Sequence, residues 1–101
     1  IIMKLISVVN ESSGTKAYKA VFQKDDGKRI IRRFGTTSNY TVASAGKTKA
    51  DRDAYHARHS KVAGANYSDP TTPASLSRYL LWGPSKSLAT NLRAYRKKYS
   101  V

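Results

Sequence analysis

The side chains able to do covalent or metal chemistry are few in this sequence, and their spacing argues against most reactions. His56 and His59 are three apart, with Asp51 and Asp53 close by. Zinc needs three or four convergent ligands, but the chain has only these 2 histidines and no cysteine. The pair reads as two polar residues on a helix beside Arg52 and Arg58, and no metal is expected. A magnesium-dependent nuclease needs clustered carboxylates. The single glutamate, Glu11, falls in a polar stretch, and Asp25-Asp26 precedes Gly27 in a turn. Asp51 and Asp53, two apart on a helix, point in different directions. Serine and threonine together number 20, but none stands in a Gly-x-Ser-x-Gly elbow. Gly46-Lys47-Thr48 lacks the upstream glycine of a phosphate-cradling loop. Lys47 and Thr48 still precede a helix, where a single phosphate oxygen is bound cheaply, and they are a candidate phosphate contact. The residues therefore point to a protein that is not an enzyme and carries no cofactor.

What the chain has in excess is positive charge. Lysine and arginine number 19 against 6 acids, a net charge of +13 on 101 residues. Such a surplus is a statement about partners, and a polyanion is the expected one. No acid follows Asp69, while Arg78, Lys86, Arg93, Arg96, Lys97 and Lys98 all do. A second cluster is Lys28, Arg29, Arg32 and Arg33. Both clusters are interleaved with Ile, Leu or Tyr, which marks basic faces of folded elements rather than disordered tails. Lys28, Arg29, Arg32, Arg33, Arg78, Arg93, Arg96, Lys97 and Lys98 are the expected contacts to nucleic acid, by preference double-stranded DNA. Tyrosine makes up 7 of the ten aromatic residues. Helical spacing assigns most of them to core packing rather than to base stacking.

These groups need a scaffold. A chain of this length suits one domain, residues 1–101. Its 40% hydrophobic content allows a folded core. Residues 3–9 read as a strand and Asn10 to Gly14 as a polar loop. Ala17 to Gln23 alternates, with Tyr18, Ala20 and Phe22 on one side. Gly27 closes a hairpin, and Arg29 to Phe34 returns. Ile30 and Ile31 are adjacent, so one of them must leave the core face. Residues 35–46 read as a loop pinned by Tyr40. Thr48 with Asp51 resembles a capping box opening a helix that runs to about Val62, with Gly64 as its stop. Thr72 and Pro73 begin a second helix. Leu76, Tyr79 and Leu80 share its face, and Gly83-Pro84 ends it. Trp82 is expected to plug the join to a third helix, capped by Ser85 or Ser87. That helix carries Leu88, Leu92, Tyr95 and Tyr99 as its apolar stripe. The expected fold is α+β: a three-stranded antiparallel β-meander (residues 3–34) followed by three α-helices packed on it (residues 48–99).

No apolar run approaches the ~18 residues of a membrane span. The opening Ile1 to Ile6 is too short and wrongly ordered for a secretory signal. Its first two residues could instead add a strand to a neighbour's sheet edge.

The ordered landmarks resemble a domain family of unknown function from nucleocytoplasmic large DNA viruses. They run from Tyr18–Phe22 before Gly27, through Phe34-Gly35 and Tyr40-Thr41, to Arg52, Tyr55 and Arg58-His59. Asp69-Pro70 follows, then Leu76-Ser77-Arg78-Tyr79-Leu80-Leu81-Trp82-Gly83, then a basic helix with Tyr95 and Tyr99. The resemblance covers residues 16–99. Its most specific pieces are Arg58-His59 and Leu76-Ser77-Arg78 with Leu81-Trp82-Gly83. Asn39 stands where that family has an acid, Tyr67 where it has Trp, and Pro73-Ala74-Ser75 replaces an Ala-Gly. These departures mark a divergent member. The resemblance implies a viral setting, in the virion and in the host cytoplasm or nucleus during infection. It implies no chemistry. Two roles suit it: contact with the packaged genome, or a minor capsid or cement protein between larger capsid subunits.

Overall fold

The computed structural model describes residues 3–59 and 67–101. The alternating stretches form an antiparallel sheet in the order β1 (Met3–Ser13), β2 (Lys16–Lys24), β3 (Arg29–Phe34). Helices follow: α1 (Lys49–His59), α2 (Pro73–Leu76), which runs directly into a π turn over Ser77–Leu81, and α3 (Leu88–Tyr99). The expected three-stranded meander followed by three helices is the observed architecture. The α1 residues expected up to Val62, the stop at Gly64 and the strand addition by Ile1 and Ile2 lie outside the described residues.

The sheet packs one face on the helices. Tyr18, Ala20 and Phe22 of β2 are buried, as are Leu5 of β1 and Phe34 of β3. Leu76, Leu80, Leu81 and Tyr95 meet them from the helical side. On β3, Ile30 packs at the core margin, and Ile31 turns to the other face, 54% exposed. The hairpin turn follows from Gly27, whose φ of 86° supplies the left-handed residue after a tight turn. Its amide donates to the Lys24 carbonyl at 3.0 Å, and the Lys24 amide donates to the Lys28 carbonyl at 2.8 Å.

Three local expectations are corrected. Asn10 to Ser13 belong to β1 rather than to a loop, with Asn10 opposite Tyr18 and Ser13 opposite Lys16. A register shift between Asn10 and Ser13 absorbs one extra residue on β1, so pairing overrides their turn preference. Glu11 also bridges Lys19 and Arg33 at 2.8 and 3.0 Å. The anchor of the 35–46 loop is Asn39, which is 1% exposed, and not the half-buried Tyr40. Asn39 Nδ2 donates to the Tyr18 hydroxyl at 3.1 Å and the Thr36 carbonyl at 2.7 Å. Its Oδ1 accepts from the Thr41 amide and hydroxyl at 2.9 and 2.6 Å.

The second helix is the third correction. Thr72 caps it as expected, accepting from the Ser75 amide at 3.2 Å. After one turn it widens, and the Trp82 amide reaches back five residues to the Ser77 carbonyl at 3.1 Å. The wider turn aligns Leu76 with Leu81 as well as Leu80, so all three are buried and Tyr79 is left half-buried. Gly83 then ends the segment for lack of room. A Cβ there would lie 2.4 Å from the Tyr79 carbonyl oxygen and 2.7 Å from Asn91 Cγ.

Asn91, fully buried on α3, ties this joint together. Its Nδ2 donates to the carbonyls of Leu80 at 2.9 Å and Ser85 at 2.8 Å, and its Oδ1 accepts from the Ser85 amide at 3.0 Å. Replacing Asn91 with Leu strands these backbone groups away from water. The expected loss is about 3 kcal/mol, read from the midpoint of a urea titration. An unchanged midpoint would show that the joint tolerates the loss.

Candidate nucleic-acid interface

The nine cations expected to meet nucleic acid divide by what their side chains already hold. Lys28, Arg29, Arg32, Arg93, Lys97 and Lys98 are exposed, and Arg33, Arg78 and Arg96 are half-buried. Arg33 is committed to Glu11, donating to its carboxylate at 3.0 Å and its carbonyl at 3.1 Å. Together with Lys19 it holds the Glu11 carboxyl below the usual range, Lys19 contributing most. Arg96 clamps β1, with Nη2 and Nε donating to the Leu5 carbonyl at 2.9 and 3.3 Å. Arg78 lies over the rings of Tyr67 and Tyr79 at 4.6 and 5.5 Å. These three are chiefly structural.

The six exposed cations fall into two sets. Arg29 and Arg32 lie along β3, one edge of the sheet, with Lys28 in the turn just before it. Arg93, Lys97 and Lys98 lie on α3, whose C-terminal end is tied to β1, the other edge. Ser100 turns into the left-handed region, φ 56°, and the Val101 carbonyl accepts from the Leu5 amide at 3.0 Å. Lys98 is held 4.9 Å from the Tyr79 ring and 5.6 Å from that of Tyr99. With Arg78 between Tyr67 and Tyr79, tyrosines and cations alternate along this flank. Arg32 also reaches toward acid: the Thr71 amide and hydroxyl hold the Asp69 carboxyl below its usual range, and Arg32 adds to the effect.

The helix cap behaves differently from its expectation as a phosphate contact. Thr48 and Asp51 bond reciprocally, the Thr48 amide donating to Asp51 Oδ2 at 2.8 Å and the Asp51 amide to Thr48 Oγ1 at 3.2 Å. Both Thr48 groups hold the Asp51 carboxyl below its ordinary value. The helix start is thus already served by a carboxylate, and Thr48 is withdrawn from the candidate set. Lys47 remains, at the rim of a cavity of about 380 Å³.

That cavity was not read from the sequence. It opens between the loop after β3 (Thr36 and Ser38), the second half of α1 (Tyr55, Arg58 and His59) and the π turn (Ser77, Leu81 and Trp82). Tyr55 stacks on Trp82 at 4.5 Å and on His59 at 3.9 Å between ring centroids. Trp82 therefore bonds the π turn to α1, where the expectation placed it between the second and third helices. Arg52 Nε donates to the Gly83 carbonyl at 2.6 Å, and His56 Nε2 to the Trp82 carbonyl at 2.6 Å. Burial lowers the His56 pKa, favouring this neutral donor. His59 Nδ1 lies 3.0 Å from the carbonyl of Tyr55. Among the described residues no three His, Asp or Glu gather as a metal site. None of the described helices is long and apolar enough to cross a membrane. The signal for the cavity was present in the sequence as Arg58-His59 and Leu81-Trp82, but nothing in their spacing says that they meet.

No protein-family model matches this chain, and no curated protein or solved structure matches it either.

Two outcomes follow. Replacing Arg96 with Met keeps the apolar stem and removes the clamp on β1. It should cost about 1–3 kcal/mol in urea unfolding, where Lys97→Met should cost almost nothing. Burial pushes the Tyr55 hydroxyl from 10.0 up to about 12. The folded state then holds this proton more tightly than the unfolded state, so the contribution is complete below pH 10 and is lost as pH rises toward 12. A urea midpoint that falls over this range in the wild type, and falls less in Tyr55→Phe, is the expected result.

Proposed function

We propose that this protein binds nucleic acid through backbone phosphates, without reading base sequence and without catalysing a reaction. One observation carries the reading: the positive charge is left largely unpaired by the fold. Among the described residues the ion pairs are Lys19 and Arg33 with Glu11, and Arg52 with Asp53. Among the described residues the side chains of Lys28, Arg29, Arg32, Arg93, Lys97 and Lys98 stand exposed and form no ion pair, Asp26 being held by the Lys28 amide and not by its ammonium. Each displaces a condensed counterion when it meets a phosphate. Duplex DNA is the preferred partner, and the resemblance to a viral domain family makes the virion of a large DNA virus the proposed setting.

A second reading is favoured by a different surface. The face of the sheet away from the helices exposes Ile6 at 44%, Val9 at 40% and Ile31 at 54%. Val21 lies between them, paired to Ser7 on one side and Ile31 on the other. An apolar strip of this kind suits a protein neighbour, as a minor capsid or cement protein would have.

Salt separates the two. Filter binding of duplex DNA should weaken with a log–log slope of about −4 to −7, corresponding to five to eight phosphate contacts. Changing Arg29 and Arg32 to Ala should make the slope shallower by about 2. Association with purified capsid protein through the apolar strip should survive the same series. Absence of DNA binding at ~50 mM salt overturns the first reading.

A further inference from the structure

We infer that the cavity between α1, the loop after β3 and the π turn binds a terminal phosphate monoester, as found on the end of a nucleic-acid strand or on a free mononucleotide. The inference rests on the phosphate-binding reading and assigns it a second kind of site. The exposed cations on the β2–β3 turn, β3 and α3 line none of the cavity and are open to the phosphodiesters of a continuous backbone. The cavity is a recess, and a recess admits an end.

Its chemistry is one-sided. Lys47 and Arg58 bring two fixed positive charges to the cavity, and among the described residues no acid lines it. His59 lies against the Tyr55 carbonyl through Nδ1, and among the described residues no group engages its Nε2. Nδ1 carries the proton that meets this carbonyl, so Nε2 donates to a phosphate in the imidazolium form of the ring. Ser77 adds a hydroxyl to the lining. Charged donors with a hydroxyl match a dianionic phosphate better than a singly charged diester. A volume of about 380 Å³ exceeds what a phosphate alone needs and leaves room for its sugar. The walls are preorganised: Tyr55 is pressed between His59 and Trp82, and the Trp82 and Gly83 carbonyls are bonded to α1.

The test uses the full chain and its single tryptophan, Trp82, which lines the cavity. Three probes are compared at constant ionic strength: a short single strand with a 5′-phosphate, the same strand with a 5′-hydroxyl, and adenosine monophosphate. The phosphorylated strand should bind about tenfold more tightly than the hydroxyl strand, as about one added charge-assisted contact requires. It should also change the Trp82 fluorescence, which the hydroxyl strand should not. Lys47→Gln with Arg58→Gln should abolish the preference, so that the two strands bind equally. Both side chains are outside the core, so the variant should fold. A Trp82 response to the mononucleotide equal to that of the phosphorylated strand identifies the free nucleotide as the source. A stronger response to the strand identifies the strand end. Equal binding of both strands with silent Trp82 overturns the inference and leaves the backbone reading in place. Binding of neither strand, with Trp82 still answering the mononucleotide, overturns the backbone reading and keeps the cavity.

Discussion

The helical half of this protein depends on how closely the Asn91 side chain packs on Gly83. α3 comes so near the end of the π turn that a single methyl group at this position would overlap the Tyr79 carbonyl and the Asn91 amide. With Gly there, Asn91 reaches across to hold the carbonyls on both sides of the bend. From the other side Arg52 and His56 of α1 take the carbonyls of Gly83 and Trp82. Four segments thus share one knot of buried and part-buried hydrogen bonds. Their pairing is complete in the sense that matters in a low-dielectric interior, where an orphaned carbonyl costs about 1–3 kcal/mol. The same knot sets the Tyr55 and Trp82 rings side by side and so shapes the cavity wall.

Charge is distributed around this scaffold by a simple rule of burial. A cation that leaves water needs compensation: Arg33 and Arg96 find acceptors, while Arg78 has only ring faces and, among the described residues, no hydrogen-bond partner for its buried Nε. Arg96 takes the Leu5 carbonyl, Arg33 takes Glu11, and Arg78 lies over tyrosine rings. The cations that stay in water need no acceptor from the protein and remain available to an external anion. A basic side chain therefore serves either the fold or a partner according to how deeply its stem is placed. Arg32 and Arg33, adjacent in sequence, show this on one strand. Alternation aims Arg33 at the outer face beside Lys19 and Glu11, while Arg32, opposite Ala20, stays exposed at the edge.

Much of the architecture was legible in residue order. The alternation of β2, the glycine after Asp25-Asp26, the Thr48–Asp51 cap and the Thr72-Pro73 start all form as their local chemistry requires. Reading failed where a distant partner overrode local preference. Asn10 to Ser13 carry turn residues, yet β2 recruits them into β1. Asn39 looks like an ordinary loop residue, yet it is the loop's buried anchor because Tyr18, far upstream, places a hydroxyl beside it. An acid at that position could accept from Thr41 but could not donate to the Thr36 carbonyl. Trp82 was placed near its true position but given the wrong neighbour, since its stacking partner comes from α1.

By itself the sequence determined the element order, the hydrophobic faces and the large positive charge, because periodicity, caps and composition are local or additive quantities. Only the tertiary structure decided which arginines are half-buried in the fold and which stay exposed. It also decided that Lys47, Arg58, His59, Ser77 and Trp82 share one cavity. The reason is that burial and juxtaposition depend on how segments pack across the chain, and no spacing along the chain encodes the distance between α1 and the π turn.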